Sequence, residues 1–220
     1  MNAFATNSAD EKPRRQERLG PAEALALAKG GDLHDLAARA DRARRAWHNG
    51  KVFYTINLHI DYTNVCVAGC AFCAYSRRPG EPGGWTHDPG EIVRFVEERA
   101  PGGCSELHIV GGLNPALPFE YYTDLLQALR KRFPALHLKA FSAVEIHDMA
   151  RKARLSIPET LRLLREAGLD SLPGGGAEIF DEAIRAKIAP QKASANEWLA
   201  VHRVAHQLGI PSTATMLYGH

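Results

Sequence analysis

The alternation of short apolar runs with amphipathic segments constrains the fold more than any other feature of this sequence. The runs are VFYTINLHI (52–60), ELHIV (106–110), LHLKAF (136–141), LDSL (169–172) and PSTATML (211–217). Strand-like runs separated by single helical segments predict βα units with parallel strands. We therefore expect an α/β fold, either a doubly wound sheet or a (β/α) barrel of the TIM type.

The starts and ends of the helical segments carry local signals. Three segments begin with Asp or Ser three residues before a Glu, at Asp88–Glu91, Ser156–Glu159 and Ser194–Glu197. This spacing is typical of a capping box at a helix N-terminus. Gly168 and Gly209 follow two segments, as expected at helix C-termini. These signals support the predicted βα units.

The domain organisation follows from the same patterns. Residues 1–19 are polar and without periodicity, which predicts a disordered tail, and residues 20–50 predict a helical segment broken near Gly30. Residues 51–220 predict a partial barrel of about five βα units. Because the sequence stops at His220, where the fifth strand should lead into its helix, we expect an incomplete, C-terminally truncated barrel.

Charge and hydropathy limit the possible partners and location. The 220 residues include 27 basic and 25 acidic side chains, so a net charge of +2 favours neither nucleic acid nor a membrane surface. No run approaches the ~18 apolar residues of a membrane span, and no leader sequence is recognisable. We therefore predict a cytoplasmic protein with a small-molecule partner. In that reducing compartment, closely spaced cysteines indicate metal binding or catalysis rather than disulfides.

The segment NVCVAGCAFCAY holds Cys66, Cys70 and Cys73 with the spacing C-x3-C-x2-C. A disulfide would leave an odd thiol in a reducing compartment. Zinc prefers four ligands, which Cys104 or His59 would have to complete. Three thiolates also suit an iron–sulfur cluster with one iron left free, since electron carriers normally use four cysteines.

Unusual residues follow each of the other predicted strands. They are Gly111 and Gly112, Ser142 and Glu145, Gly174 to Gly176, and Tyr218 to His220. Since ligands bind at the carboxyl ends of parallel strands, we expect these residues to share one binding face with the cysteines.

The cysteine spacing, with Phe72 directly before the third cysteine, resembles the radical S-adenosylmethionine (SAM) superfamily. The resemblance implies that Cys66, Cys70 and Cys73 bind a 4Fe-4S cluster whose unique iron chelates the amino and carboxylate groups of SAM. One electron then cleaves SAM to methionine and a 5'-deoxyadenosyl radical. The electron would come from an external reductant such as flavodoxin or ferredoxin.

Longer segments resemble a particular branch of the superfamily. HIDYTNVCVAGCAFCAYSR, ELHIVGGLNPALPFEYY, LKAFSAVEI, AGLDSLPGGGAEIF and ATMLYGH are similar to the radical SAM enzymes of the futalosine route to menaquinone and to their deazaflavin-precursor relatives. HIVGG, KAFSAVEI and MLYGH most resemble the aminofutalosine synthases. That implies addition of the adenosyl radical to 3-[(1-carboxyvinyl)oxy]benzoate, giving 6-amino-6-deoxyfutalosine, methionine and bicarbonate. The alternatives are a dehypoxanthine futalosine cyclase, a deazaflavin-precursor (FO) synthase relative, or a non-catalytic zinc or iron–sulfur module.

The resemblance, with each residue's position after a strand, gives candidate roles. Residues expected to contact SAM are Tyr75, Gly111, Gly112, Ser142, Glu145, Gly175 and Glu178, and those expected to bind the substrate are His59, Arg77 and His220. Leu113 stands where many relatives have an acid after the two glycines. Four residues are interpreted as structural: Cys104 as a free thiol, His108 as core or interlayer packing, and His202 and His206 as a helix face.

Overall fold

The computed structural model describes residues 19–219, and the chain divides into two compact units between Tyr54 and Thr55. The first unit holds two helices, α1 (Pro21–Gly30) and α2 (Leu33–His48). The break at Gly30 is confirmed, and the Asp32 carboxylate caps α2. The predicted tail lies outside the described residues, apart from Leu19.

The second unit is an α/β structure around a parallel sheet. Its strands are β1 (Asn57–Asp61), β2 (Glu106–Val110) and β3 (His137–Ala140), in the order β1-β2-β3. Its helices are α3 (Pro89–Arg99), α4 (Phe119–Arg132), α5 (Ala143–Ala153), α6 (Ile157–Ala167), α7 (Glu182–Ile188) and α8 (Ala195–Gln207). The expected α/β class and the parallel pairing are confirmed.

The fourth and fifth predicted strands are reduced to single bridges. Ser171 pairs with Lys139 and Ser212 pairs with Leu172, both in parallel, so these segments continue the sheet order. Neither becomes a regular strand in the described chain. Pro211, at the start of the second run, has no backbone N–H for a ladder. The prediction of full strands here is wrong.

The first strand is also shorter than predicted. It begins at Asn57 rather than residue 52, because β2 offers partners only from Glu106 onward, opposite Asn57. Val52, Phe53 and Tyr54 are exposed and belong to the first unit. Because these β-branched and aromatic residues have no neighbouring backbone to pair with, they do not form a strand.

The core of the second unit lies between the sheet and its helices. On β2, Leu107 and Ile109 are fully buried, whereas the alternating His108 and Val110 are half-buried. Because successive strand side chains point to opposite faces, these two residues face away from that core.

Local capping holds the helices at the carboxyl ends of the strands. The predicted boxes at Asp88 and Ser194 are present, and Ser156 accepts the N–H of Glu159. A further box joins Ser142 and Glu145 at the start of α5. None of the described helices is both long and apolar enough to cross a bilayer.

Candidate functional site

A cavity of about 410 Å³ opens at the carboxyl ends of the three strands. Its wall includes nine of the residues predicted from the sequence: Cys66, Cys70, Cys73, Tyr75, Gly111, Gly112, Ser142, Glu145 and Gly175. These residues come from the segments that follow β1, β2, β3 and the fourth predicted strand. The expected convergence on one face of the sheet is therefore present in the structure.

The loop after β1 is fixed by backbone hydrogen bonds on both sides of its first cysteine. Cys66 N–H donates to the carbonyl of Arg77 (2.8 Å), and Val67 N–H donates to that of Leu113 (3.1 Å). The Cys66 sulfur accepts the N–H groups of Leu113 (3.3 Å) and Ala68 (3.4 Å). These contacts hold the Cys66 side chain in one orientation at the cavity wall.

The other two thiols differ in their surroundings. Burial raises the pKa of Cys70, the ammonium of Lys192 opposes that rise, and Cys66 adds to it. Cys73 is more exposed, and although burial raises its pKa, hydrogen bonds from the hydroxyl and N–H of Ser76 outweigh burial and leave that pKa below its usual value.

The donor set fits an iron–sulfur cluster better than the alternatives. All four cysteines are free thiols, so the structure does not contain the disulfide alternative. Within residues 19–219, no three His, Cys, Asp or Glu side chains gather around one metal-ion position, which a zinc site would require. A cubane cluster binds each thiolate to a different iron, so its three ligands do not converge on one ion position but must lie around one cavity. Cys66, Cys70 and Cys73 meet that condition.

Gly111 and Gly112 bring the turn after β2 against the cysteine loop. A Cβ at Gly111 would lie 2.5 Å from Cζ of Tyr62, and one at Gly112 would lie 2.2 Å from the carbonyl oxygen of Val65 and 2.8 Å from Cβ of Cys66. Real Cβ atoms do not approach this closely. Both glycines are therefore required by packing, and they set the distance between this turn and the first cysteine.

The three consecutive glycines after the fourth predicted strand differ from one another. A Cβ at Gly174 would lie 2.5 Å from Cα of Ala214, and one at Gly176, where φ is +84°, would lie 2.4 Å from Cγ2 of Val144. At Gly175 the nearest atom is Cβ of Ser142, 4.0 Å away. Packing explains two of the glycines, and only Gly175 leaves open space beside the cavity.

The carboxylate of Glu145 is buried and its oxygens are already engaged. One oxygen accepts the hydroxyl of Tyr62 (2.8 Å) and the N–H of Gly111 (3.0 Å), and the other accepts the N–H of Ser142 (2.7 Å) and its hydroxyl. Burial raises the pKa of Glu145, and these hydrogen bonds oppose the rise. Glu145 thus ties the glycine turn to the start of α5, and its contact with SAM stays a prediction.

Tyr75 presents its ring at the cavity mouth, where it contacts Trp85 edge-on at a centroid distance of 6.0 Å. Burial and the nearby Asp61 carboxylate raise the pKa of its hydroxyl, which stays protonated at neutral pH. The ring is half-exposed and can pack against a flat ligand.

The remaining predicted residues are not brought to this cavity. Glu178 lies outside the wall, and its carboxylate pairs with Lys192 at 2.5 Å. His59 lines a separate cavity and contacts Asp61 at 3.0 Å. The Arg77 guanidinium donates to three carbonyls within its own loop, and His220 lies outside the described residues.

The wall also contains residues that the sequence did not predict as site residues, among them His108 and Lys192. His108, interpreted as core or interlayer packing, is half-buried and lines the cavity. The alternation of β2 carries this signal, since Leu107 and Ile109 are apolar on either side of it. Lys192 also lines the wall, with its ammonium 5.4 Å from the ring centroid of Phe72.

The other residues interpreted as structural lie away from this wall. Cys104 is half-buried, with its thiol 3.5 Å from the carbonyl of Glu106. His202 and His206 lie on α8, and both contact the hydroxyl of Ser212, at 2.9 and 2.8 Å. His202 is buried rather than exposed on the helix face.

The class of protein follows from comparison of the whole chain. Residues 60–220 match the Radical SAM superfamily, so this chain belongs to that family. The resemblance seen in the cysteine motif is confirmed. Membership implies a 4Fe-4S cluster and S-adenosylmethionine as cofactors.

Three individual proteins are similar to this chain. Aminodeoxyfutalosine synthase from Thermus thermophilus is 47% identical over 210 residues, covering 96% of this chain and 56% of that enzyme. The aminodeoxyfutalosine synthase from Streptomyces coelicolor is 39% identical over 220 residues, covering 100% of this chain and 57% of the enzyme. FO synthase from Nocardia farcinica is 39% identical over 197 residues, covering 90% of this chain and 23% of that enzyme. The chain thus spans little more than half the length of the two aminodeoxyfutalosine synthases.

Solved structures share the fold. A maturase of the FeFe-hydrogenase, HydG, matches with a TM-score of 0.69 and 20% identity, covering 92% of this chain and 44% of that chain. Methylornithine synthase (PylB) matches with a TM-score of 0.60 and 20% identity, covering 86% of this chain and 52% of that chain. At this identity, the likeness describes the fold alone.

Proposed function

We propose that this chain carries the cluster- and SAM-binding part of an aminodeoxyfutalosine synthase. The reaction would join the 5'-deoxyadenosyl group of SAM to the enolpyruvyl carbon of 3-[(1-carboxyvinyl)oxy]benzoate and give 6-amino-6-deoxyfutalosine, methionine and bicarbonate. The 47% identity to the Thermus thermophilus enzyme over 96% of the chain carries this proposal. The cavity supports it, because its wall combines three thiols with a close-packed glycine turn.

The fold we propose for the second unit is part of a (β/α) barrel. Three parallel strands lie in sequential order, and single parallel bridges continue that order to Ser171 and then to Ser212. Sequential parallel strands joined by helices are the pattern of such barrels, whose ligands bind at the carboxyl ends. The cavity lies at this end of the sheet.

Cys66, Cys70 and Cys73 would hold the cluster. When bound together with SAM, it supplies the electron that cleaves SAM to methionine and the adenosyl radical. The chain prepares the site by donating the N–H groups of Ala68 and Leu113 to the Cys66 sulfur and by holding the Lys192 ammonium close to Cys70 and Cys73. These contacts lower the cost of gathering three negative thiolates.

The cofactor SAM would occupy the space between the cysteine loop and the glycine segments. Gly175 leaves that space open, and the Tyr75 ring offers a face for the adenine. Gly112 would bring its turn within reach of the amino acid end of SAM, where backbone carbonyls can replace the acid that Leu113 does not supply.

We propose an external one-electron reductant and a cytoplasmic location, as the sequence predicts.

The proposal is tested by product analysis. The protein is reconstituted anaerobically with iron and sulfide and incubated with SAM, dithionite and the enolpyruvyl benzoate. We expect an adduct that retains the adenosyl carbons, detected by mass spectrometry, and no adduct from Cys70→Ala. Release of 5'-deoxyadenosine without an adduct would contradict the proposed reaction.

A second candidate is a reaction of the FO synthase type, favoured by the 39% identity to FO synthase over 90% of this chain. The same incubation with tyrosine and a ribityl-aminouracil in place of the enolpyruvyl benzoate distinguishes the two. A dehypoxanthine futalosine cyclase would instead require dehypoxanthine futalosine and would release free 5'-deoxyadenosine. A non-catalytic metal module would give no SAM cleavage with any of these substrates.

A further inference from the structure

His108 lies in the middle of β2, on the face that turns toward the cavity. It stands beside His59 on β1 and Lys139 on β3 in the strand register. Among these three, His108 lines the cavity wall, three residues before the Gly111 turn. It therefore forms part of the cavity floor, below the cysteine loop.

The imidazole of His108 has no hydrogen-bond partner among residues 19–219, although it is half-buried. Among the other histidines of this unit, His137 bonds the Ser171 hydroxyl at 2.7 Å, and Nδ1 of His202 bonds that of Ser212 at 2.9 Å, while its Nε2 is buried without a partner in the described chain. His108 makes only a ring stack with His59, at a centroid distance of 5.3 Å. Its ring nitrogens are therefore free to bond a ligand that enters the cavity.

Several other donors of the wall are already engaged. The Asn64 amide bonds the carbonyl of Gly83, the Thr215 hydroxyl bonds the carbonyl of Gly174, and Lys192 is paired with Glu178. Asp61 is the nearby acid, and it is engaged by His59 at 3.0 Å. His108 is therefore one wall donor that an anionic ligand can use without breaking an existing hydrogen bond.

The protonation state of His108 fits this role. Burial lowers its pKa, and the neighbouring His59 and Lys139 lower it further. The neutral imidazole offers one N–H donor and leaves its other nitrogen as an acceptor. The Lys139 charge is balanced by Glu106 at 2.9 Å, so the donor faces no strongly charged competitor on β3.

We propose that His108 binds the substrate by donating a hydrogen bond to one of its carboxylates, and that it selects a carboxylated aromatic ligand. This rests on the proposed function, which supplies a substrate with two carboxylates. His108 then positions the substrate below the radical, while Tyr75, Gly112 and Gly175 contact SAM.

The test measures binding without turnover. The reconstituted protein, with SAM and no reductant, is titrated by calorimetry with the enolpyruvyl benzoate. We expect His108→Phe, which keeps a ring and removes the donor, to weaken binding about 10- to 100-fold, as loss of a hydrogen bond to a charged group implies. His108→Gln restores a donor and should recover most of the affinity. His137→Phe, on the neighbouring strand and outside the cavity wall, should leave the affinity unchanged.

The SAM-induced spectral change of the cluster is recorded for each variant, and we expect it to be preserved, which shows that the site is intact. Equal substrate affinity in the parent and in His108→Phe would overturn the role of His108 while leaving the proposed function standing. A parent protein that binds SAM but not the enolpyruvyl benzoate would overturn both.

Discussion

At the residue scale, the glycines of the cavity wall differ in what their missing side chains leave room for. Gly112 has the Val65 carbonyl oxygen 2.2 Å from where a Cβ would lie, whereas Gly175 has its nearest neighbour at 4.0 Å. The first glycine sets the approach of the β2 turn to Cys66, and the second leaves space for a ligand.

This contrast predicts that an alanine substitution destabilises the protein at Gly112 and not at Gly175. Gly112→Ala should displace the cysteine loop, lower the free energy of unfolding by about 1–3 kcal/mol, and reduce the iron bound after reconstitution. Gly175→Ala should change neither, because its methyl group meets no atom closer than ordinary contact. Urea denaturation and iron analysis measure both quantities. Full iron content in Gly112→Ala would show that the turn does not position the first cysteine.

Lys192 places a positive charge beside the cysteines, and Glu178 holds it there at 2.5 Å. Lys192→Gln removes that charge and leaves the Glu178 carboxylate unbalanced, so the midpoint potential of the bound cluster should become more negative by tens of millivolts, an order-of-magnitude expectation for a nearby charge. Lys187→Gln, at an exposed position on α7, is the matched control. Potentiometric titration followed by electron paramagnetic resonance compares them, and equal potentials would contradict the role of Lys192.

At the element scale, Arg185 joins α7 to the segment that carries the three glycines. It is buried, and its guanidinium donates to the carbonyls of Gly176 (3.2 Å), Ile179 (3.1 Å), Ala177 and Ala193. A planar group with several fixed donors can satisfy this arrangement, and a lysine cannot.

Arg185→Lys should therefore lower the free energy of unfolding by about 3 kcal/mol, because several buried carbonyls lose their donors. Arg162→Lys, at an exposed position on α6, should change it by less than about 0.5 kcal/mol. Urea denaturation of both variants gives the comparison. A small effect of Arg185→Lys would mean that water or the lysine satisfies these carbonyls.

The elements also show what sequence patterns could predict. Capping at Asp88 and Ser194 depends on neighbours within one helical turn, and these predictions are confirmed. Pairing of the fourth and fifth runs depends on partners far along the chain, and periodicity does not describe those partners. The same limit applies to Glu178, whose pairing with Lys192 across a loop is not visible in its spacing from the glycines.

The residues of the candidate site show the same difference between local signals and contacts that depend on distant parts of the chain. The spacing of Cys66, Cys70 and Cys73 is local, and it indicates the family that the match over residues 60–220 confirms. For His108, a polar residue between two apolar ones is compatible with packing as well as with a cavity wall, and the sequence alone does not distinguish the two. Strand alternation places it on the cavity face, which becomes informative once the neighbouring loops are known to meet there.

At the scale of the whole molecule, the central claim is that three cysteines line a cavity built for a cluster with one open iron. The described part of the chain brings together the thiols, the glycine turn and the donors that such a site needs. The chain spans 56% of the Thermus thermophilus enzyme that it matches. We therefore assign cluster and SAM binding to this chain, and conversion of the enolpyruvyl benzoate is the proposal beyond that assignment.

The most direct measurement is anaerobic reconstitution followed by titration with SAM. We predict about four irons per chain, as a 4Fe-4S cluster requires, and an electron paramagnetic resonance spectrum of the reduced cluster that changes when SAM is added, because the open iron gains ligands. Cys73→Ala should lose both properties. Stoichiometric zinc, or a cluster whose spectrum does not respond to SAM, would contradict the account.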